Sequence, residues 1–329
     1  MEHPSSTRER DAENTSFSSE VPASEVLKRS ARPWLARLNE RGFRTSLVLS
    51  VGLVFVVIVA MMVSLFIVSL PAIQHSGWKI FTGTDWDPDN EKFGALPFIV
   101  GTLVTSILAL MISFPFSISI ALYLGEYRQG GWLASTLTSA IELLAGIPSI
   151  IYGAFGLFIL VPIIQQIEIA LNDPTIIPMG VGVLTTSILL AVMIIPYSAS
   201  VAREVIKLTP KELKEAAYAL GASRSSVVRF VILPYSFSGI FAGQLLAFGR
   251  ALGETMAVTM VIGNQNIVPT GLFSAGSTIS AVIANEYPES TGIHISALTE
   301  IGLILFLITI VFGFLGRVVI NRMAMRGTT

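Results

Sequence analysis

The chain has no cysteine in 329 residues. That excludes a disulfide framework, a thiolate zinc site, an iron–sulfur cluster and a cysteine nucleophile. Charge is scarce as well. Only 13% of residues are Asp, Glu, Lys or Arg, about half the share of an average soluble domain. The three histidines, His3, His75 and His294, show no metal-ligand spacing. No lysine follows a glycine, so the phosphate-cradling loop that ends in Gly-Lys-Ser/Thr is missing and ATP has no such site in this chain. No GxSxG or HExxH stretch occurs. The basic residues fall in short segments beside apolar runs, a placement that argues against nucleic-acid binding.

What the chain does have is hydrophobic length, with 52% apolar residues. A bilayer core of about 30 Å needs about 20 consecutive apolar residues in a helix. Six such runs lie near 46–70, 97–124, 133–162, 176–198, 238–263 and 296–316. The fold class is therefore all-α, a polytopic membrane protein. The first run is too long for a signal-peptide core and follows a 45-residue polar tail, so it reads as a retained anchor. The third contains Glu142, Pro148 and Pro162 and is the candidate for a broken helix. Pro115 and Pro196 mark further kinks, tolerated where neighbouring helices satisfy the freed carbonyls.

The expected organisation is a polar and basic tail at 1–45, a transmembrane body at 46–320 and a short tail at 321–329. Residues 1–30, rich in Ser, Thr and Glu, read as disordered. Residues 28–44 carry six basic side chains interleaved with Trp34, Leu35 and Leu38; they read as an interfacial helix or as a flank that orients the first span. Six spans put the N-terminal tail, the 125–132 loop, the 199–237 loop and the C-terminus on one side, and these hold 18 of the 21 basic residues. Only Lys79 and Lys92 fall on the other side, and Arg250 remains inside a span. Basic residues gather on the cytoplasmic side, so both termini are expected there. The opposite loops carry Asp85, Asp87, Asp89, Glu91, Glu168, Asp173, Glu286 and Glu289, so the near-zero net charge is a cancellation across a membrane.

The 199–237 loop is the most informative polar segment. Thr209-Pro210-Lys211-Glu212 reads as a helix start, with Thr209 as N-cap, Pro210 at the first helical position and Glu212 completing a capping box. Leu213, Ala216, Ala217 and Leu220 follow at helical spacing, and Gly221 is a suitable stop. A second short helix is expected from about Ser223 to Ile232, ending near Leu233-Pro234. This hairpin is either a docking ridge or a lid over the loop ends.

Within it, Glu215-Ala216-Ala217, then Gly221, Val231 and Leu233-Pro234 resemble the EAA loop of ABC importer permeases; Val231 in place of Ile is the one departure. Three further segments resemble the phosphate-specific members of that family: 145–153 (AGIPSIIYG), 249–257 (GRALGETMA) and 276–286 (GSTISAVIANE). The resemblance covers roughly residues 46–320. It implies a MetI-like permease fold with Glu215, Ala216, Ala217, Gly221, Leu233 and Pro234 coupling to a separate cytoplasmic ATPase dimer that binds the ATP. It also implies a second, homologous permease, a periplasmic phosphate-binding protein and inorganic phosphate as cargo. The chain would itself break no covalent bond and carry no cofactor or metal. Permeases for molybdate or sulfate share the EAA loop, so the 249–257 and 276–286 segments discriminate. A stand-alone secondary transporter is the remaining class; it usually shows an internal repeat, and no clear one is present.

At 100° per residue, Gly239, Gly243, Arg250, Glu254 and Ala257 fall on one face of the fifth run, where small residues allow close helix approach. Arg250 lies about 18 Å from the cytoplasmic end at 1.5 Å per residue, and Glu142 is expected at similar depth. Intramembrane ionisable groups are functional candidates with a partner to be found. Arg250 could bind a phosphate oxyanion, pair with Glu254 or Glu142 as a gate that is salt-bridged at rest, or serve as structural neutralisation; the gate is the reading adopted. The 264–295 loop has neither Lys nor Arg, and could dip into the bundle, face the delivery protein or simply connect.

Overall fold

A computed structural model describes residues 33–128, 130–175 and 177–326. The expected disordered tail at 1–30 lies outside these residues. The long first helix α1 (Pro33–Ser76) is shared between two compact units that divide at Met61 and Met62. In the first unit, residues 42–61 of this helix are exposed. The second unit holds everything else.

Its elements follow in order: α2 (Lys79–Thr82), a two-residue ladder β1 (Trp86–Asp87) and β2 (Lys92–Phe93), α3 (Leu96–Leu122), α4 (Trp132–Gly146), α5 (Ser149–Phe155), α6 (Val161–Leu171) and α7 (Val183–Lys207). Then come α8 (Lys211–Ala219), α9 (Arg224–Val227), α10 (Leu233–Leu252), α11 (Met256–Val261), α12 (Ile279–Glu286) and α13 (Ile293–Arg326). Among the described residues six helical stretches are long and apolar enough to span a membrane: Gly42–Ser76, Leu96–Tyr127, Ser149–Leu171, Val183–Lys207, Arg224–Leu252 and Ile293–Arg322.

The third and fifth spans differ from the sequence expectation. The third starts at Ser149, because the chain turns out of helix at Ile147 (ψ 128°) and Pro148 (ψ 139°). Glu142 therefore sits on the separate helix α4, not inside a span. The fifth begins at Arg224, well before the expected 238, and stops at Leu252. Pro234 does not end the helix before it. A proline clashes with the carbonyl four residues back; here that residue is Phe230, within a π-turn at Val228–Ile232. Pro162 likewise follows a π-turn at Gly156–Leu160 that contains Phe158. The wider turn moves the offending carbonyl out of α register, so the helix passes through the proline unbroken.

The bundle centre is built from small and hydroxylated residues. Helix α3 buries Thr102, Thr105, Ser106, Ala109, Ser113, Ser117 and Ala121, and packs chiefly on α7, which buries Thr186, Ser187, Leu190, Ala191 and Ile194. Small side chains let the helix backbones approach closely. Their hydroxyls donate to carbonyls of their own helix, as Thr105 Oγ1 does to Gly101 O (2.7 Å) and Ser187 Oγ to Val183 O (2.7 Å), which removes the cost of a buried polar group.

The long connection after α10 dips into the bundle. Residues 276–282 are buried. Outside the short helices α11 and α12, its irregular backbone is tolerable there because its polar groups are paired within protein. Gln265 N donates to Gly276 O (3.0 Å), Gly276 N to Ile262 O (3.1 Å), Val183 N to Ser274 O (3.1 Å) and Leu184 N to Leu272 O (2.7 Å).

Candidate translocation and coupling sites

The three segments that resemble phosphate-specific permeases meet in space. Segment 145–153 touches segment 249–257 through Gly153: a Cβ there would come within 3.1 Å of Ala257 Cα and 2.6 Å of Met260 Sδ. Segment 276–286 reaches segment 249–257 through Ser280 Oγ, which donates to Glu254 O at 2.6 Å. The same re-entrant segment lies on α3. Ile279 N donates to Thr102 Oγ1 (3.0 Å), and a Cβ on Gly101 would overlap the Ser277 carbonyl. Only glycine allows that approach.

Arg250 and Glu254 sit where α10 ends and α11 begins. Along the stripe of α10 that faces α7, Gly239 is set against Val205 and Gly243 against Val201. One further step along the same stripe, the Arg250 guanidinium lies 4.3 Å from the centre of the Tyr197 ring. Tyr197 Oη is itself fixed, donating to Ala145 O at 2.8 Å. Such a cation–π contact is worth about 0.5–1 kcal/mol when exposed and about 2 kcal/mol when dry. The expected resting ion pair is not formed: Arg250 is in ion-pair contact with neither Glu254 nor Glu142. The buried Glu254 carboxylate accepts instead from Ala257 N (3.4 Å), satisfying an orphan amide at the start of α11. The exposed Glu142 lines a small cavity with Thr138, Ser200 and Arg203. The nearest cation to that carboxylate in the lining is thus Arg203, whose buried Nε has no hydrogen-bond acceptor.

At the opposite end of α10 lies the EAA hairpin. Thr209 does not cap α8; its hydroxyl lies 3.2 Å from Ser236 Oγ, and Pro210 occupies the cap position in extended conformation (ψ 136°). The buried Thr209 finds a partner in the span, which outcompetes the exposed capping box. The far end of α8 follows the sequence expectation and explains the motif's spacing. Gly221 is left-handed (φ +81°). Gly221 N donates to Tyr218 O (2.9 Å) and Ala222 N to Ala217 O (3.1 Å). This is the paired bond pattern in which the glycine stands four residues after the alanine whose carbonyl it helps to satisfy. Ala217 and Ala222 then close onto the cluster of Ala121, Ala202, Ile206, Val227 and Ile232. The outer face keeps Glu215 and Ala216 exposed, and Leu220 is 89% exposed. Leu233 packs against the same cluster and Pro234 is exposed.

Several residues passed over in the sequence matter to this geometry. Glu126, Lys214 and Arg224 tie the hairpin to the end of α3, as developed below. Glu300 is a buried carboxylate inside the last span (5% exposed) whose Oε2 has no partner; a lone acid in an apolar run was the available signal. Glu168 is also buried and accepts from Gly180 N (2.7 Å). His294 is not a free loop group: its Nε2 is 2.9 Å from Glu286 Oε2, which also accepts from Trp86 Nε1 (2.8 Å). No cluster fit to hold a metal occurs among the described residues.

Residues 113–325 match the family described as "Binding-protein-dependent transport system inner membrane component". The chain is 43% identical over 293 residues to the "Phosphate transport system permease protein PstC" of Haemophilus influenzae, covering 85% of this chain and 93% of that one. It is 43% identical over 313 residues to the protein of the same name from Pasteurella multocida, covering 90% and 98%. Among solved structures it resembles an inward-facing MetNI methionine ABC transporter with a TM-score of 0.53 at 16% identity, covering 75% of this chain and 96% of that one, which speaks to the fold alone. The chain is a member of the binding-protein-dependent transport system inner membrane component family, an all-helical transport permease and not an enzyme.

Proposed function

We propose that the chain is the permease subunit of an ATP-driven importer of inorganic phosphate. One observation carries the coupling half of this reading: α8 presents Glu215, Ala216 and Leu220 outward while Ala217, Ala222 and Leu233 anchor it from beneath. A short ridge with an unpartnered outer face and a fixed inner face suits docking into a groove of a separate ATPase dimer, with Glu215, Ala216, Ala217, Gly221, Leu233 and Pro234 as the coupling element. The phosphate assignment draws on the relatives named for phosphate transport.

Arg250, Glu254 and Glu142 are assigned to the translocation path. Gly249, Arg250 and Gly253 lie on an exposed edge of α10, and a Cβ on Gly249 would meet no atom within 4 Å. A homologous second permease closing on that edge would place Arg250 at a shared path, and a periplasmic phosphate-binding protein would deliver to the acidic end. The 18-to-2 division of basic residues supports cytoplasmic termini. Labelled-phosphate uptake in cells lacking this chain tests the reading. Wild type restores uptake, and Arg250→Gln does not, although the complex assembles. Normal uptake by that variant would overturn the role of Arg250. Restored uptake of molybdate or sulfate in place of phosphate would reassign the cargo.

A further inference from the structure

The EAA hairpin is fastened to the end of α3 by polar contacts. Lys214 Nζ meets Glu126 Oε2 at 2.5 Å, and the two side chains are only 13% and 10% exposed. Arg224, at the start of the hairpin's second arm, donates from Nη2 to Glu126 O and Tyr127 O, both at 3.0 Å, and its guanidinium lies 4.4 Å from the centre of the Tyr127 ring. Two cations, one on each arm of the hairpin, thus meet at Glu126, and Arg224 also holds Tyr127. Those residues end the π-turn Tyr123–Tyr127 that continues α3. The π-turn is pressed on α7: a Cβ at Gly125 would come 3.0 Å from Ile206 Cγ2 and 3.3 Å from Arg203 O. Nothing in the EAA pattern contains Glu126, Lys214 or Arg224.

From this point α3 runs the full depth of the bundle. Its 27 residues span about 40 Å at 1.5 Å per residue. At its far end Thr102 accepts from Ile279 N, and Ser280 of the same re-entrant segment donates to Glu254 O. One continuous helical stretch, with Pro115 inside it, therefore joins the hairpin to the segment that holds Glu254. Packed cores shift as units rather than flexing, so a helix fixed at both ends is suited to carry a displacement between them.

We propose that Lys214, Glu126 and Arg224 form a strap that makes the EAA hairpin and α3 one moving body, so that a pull on α8 reaches the re-entrant segment at residues 277–280. These are positioning residues: they touch neither cargo nor nucleotide. The proposal rests on the reading of the hairpin as the ATPase-docking element.

The test uses the complete importer, with uptake and ATP hydrolysis measured per assembled complex. Removing one member of a buried pair leaves the other charge unpaired. Lys214→Glu and Glu126→Lys should each lower uptake by about tenfold or more while hydrolysis persists. The double exchange should return uptake to within about threefold of wild type. A structural role alone would lower the amount of complex and leave uptake per complex unchanged. Single variants with wild-type uptake per complex would overturn the proposal, as would a double exchange no better than the worse single. If the reversed charges prevent assembly, Glu126→Cys with Lys214→Cys serves instead. This chain has no cysteine of its own, so within it a short bismaleimide joins those two positions only. The cross-linked complex should regain uptake that the unlinked one has lost; a cross-link without recovery would show that the two ends must separate. Gly221→Val is the control. If it leaves uptake and hydrolysis untouched, the docking reading fails whatever the strap does.

Discussion

Gly221 offers a test of why the EAA motif has its spacing. Its φ of +81° is in the left-handed region, which costs an L-residue about 1–2 kcal/mol. No atom lies within 4 Å of a Cβ built there, so steric exclusion within the chain adds nothing. The penalty of Gly221→Ala is therefore wholly that of the backbone. It should weaken the turn by about 1–2 kcal/mol, a change of roughly 5–30-fold in its open-to-closed ratio. Asparagine tolerates the left-handed region best of the other residues, so Gly221→Asn should stay close to wild type. Gly221→Val, branched at Cβ, should be the worst. Hydrogen exchange at Gly221 and Ala222, whose amides bond Tyr218 and Ala217, reads the turn directly. Phosphate uptake reads its consequence. The expected order is glycine, asparagine, alanine, valine in both assays. Asparagine and valine equally inactive, with exchange unchanged, would refute the argument: the position would then be constrained by volume, as it would be if a partner's surface lay against it.

Four further outcomes follow from single contacts. Gly101→Ala should abolish uptake and lower the yield of folded protein, because its Cβ overlaps the Ser277 carbonyl; wild-type uptake would show that the re-entrant segment can retreat at no cost. Glu300→Leu should raise the melting temperature, since it removes a buried oxygen that has no partner among the described residues, a gain of about 1–3 kcal/mol; a lower melting temperature would mean that the carboxylate is paired in the assembled transporter. Tyr197→Phe removes the hydroxyl bond to Ala145 and keeps the ring under Arg250, so it should transport far better than Tyr197→Leu; equal activities would dismiss the ring. Asp87 and Asp173 are held below the usual carboxylate value by side-chain bonds from Asn90 and Thr175 respectively. A depressed carboxylate stabilises its turn above its unfolded value and loses that stability as pH falls through the folded one. Limited proteolysis at these two turns should proceed equally at pH 7 and pH 5, since the unfolded value is about 3.9; faster cutting at pH 5 would contradict the shift.

The number of spans and the hairpin were legible because both rest on local rules: apolar length in one case, residue spacing in the other. The breaks were harder to read. Pro148 ends a helix, whereas Pro162 and Pro234 do not, and the difference lies in the π-turns that precede the latter two. A π-turn has no simple residue signature, so proline alone overstates the breaks. The capping box at Thr209 failed because a local rule met a tertiary competitor, the buried Ser236 hydroxyl. The roles of Glu126 and Thr102 were invisible for another reason. Their partners stand 88 and 177 residues away, and no periodicity links them.

The expected salt-bridged gate rested on adding up charges near Arg250. The structure spends the nearby carboxylates otherwise. Glu254 takes the Ala257 amide, while Glu142 stands on a helix outside the spans and lines a cavity with Arg203. Among the described residues, then, Arg250 is compensated by a ring quadrupole and by no anion within ion-pair distance. A guanidinium cannot shed its proton to escape that position, and an unpaired charge facing acyl chains is expensive. Its compensation has to come from whatever lies against the exposed edge of Gly249, Arg250 and Gly253, which excludes lipid tails as the neighbour there. A second permease subunit or an aqueous path containing the anion satisfies the requirement. Glu254, which fails to neutralise Arg250, holds the start of α11 in place instead, so the uncompensated positive charge is a consequence of how that helix start is stabilised.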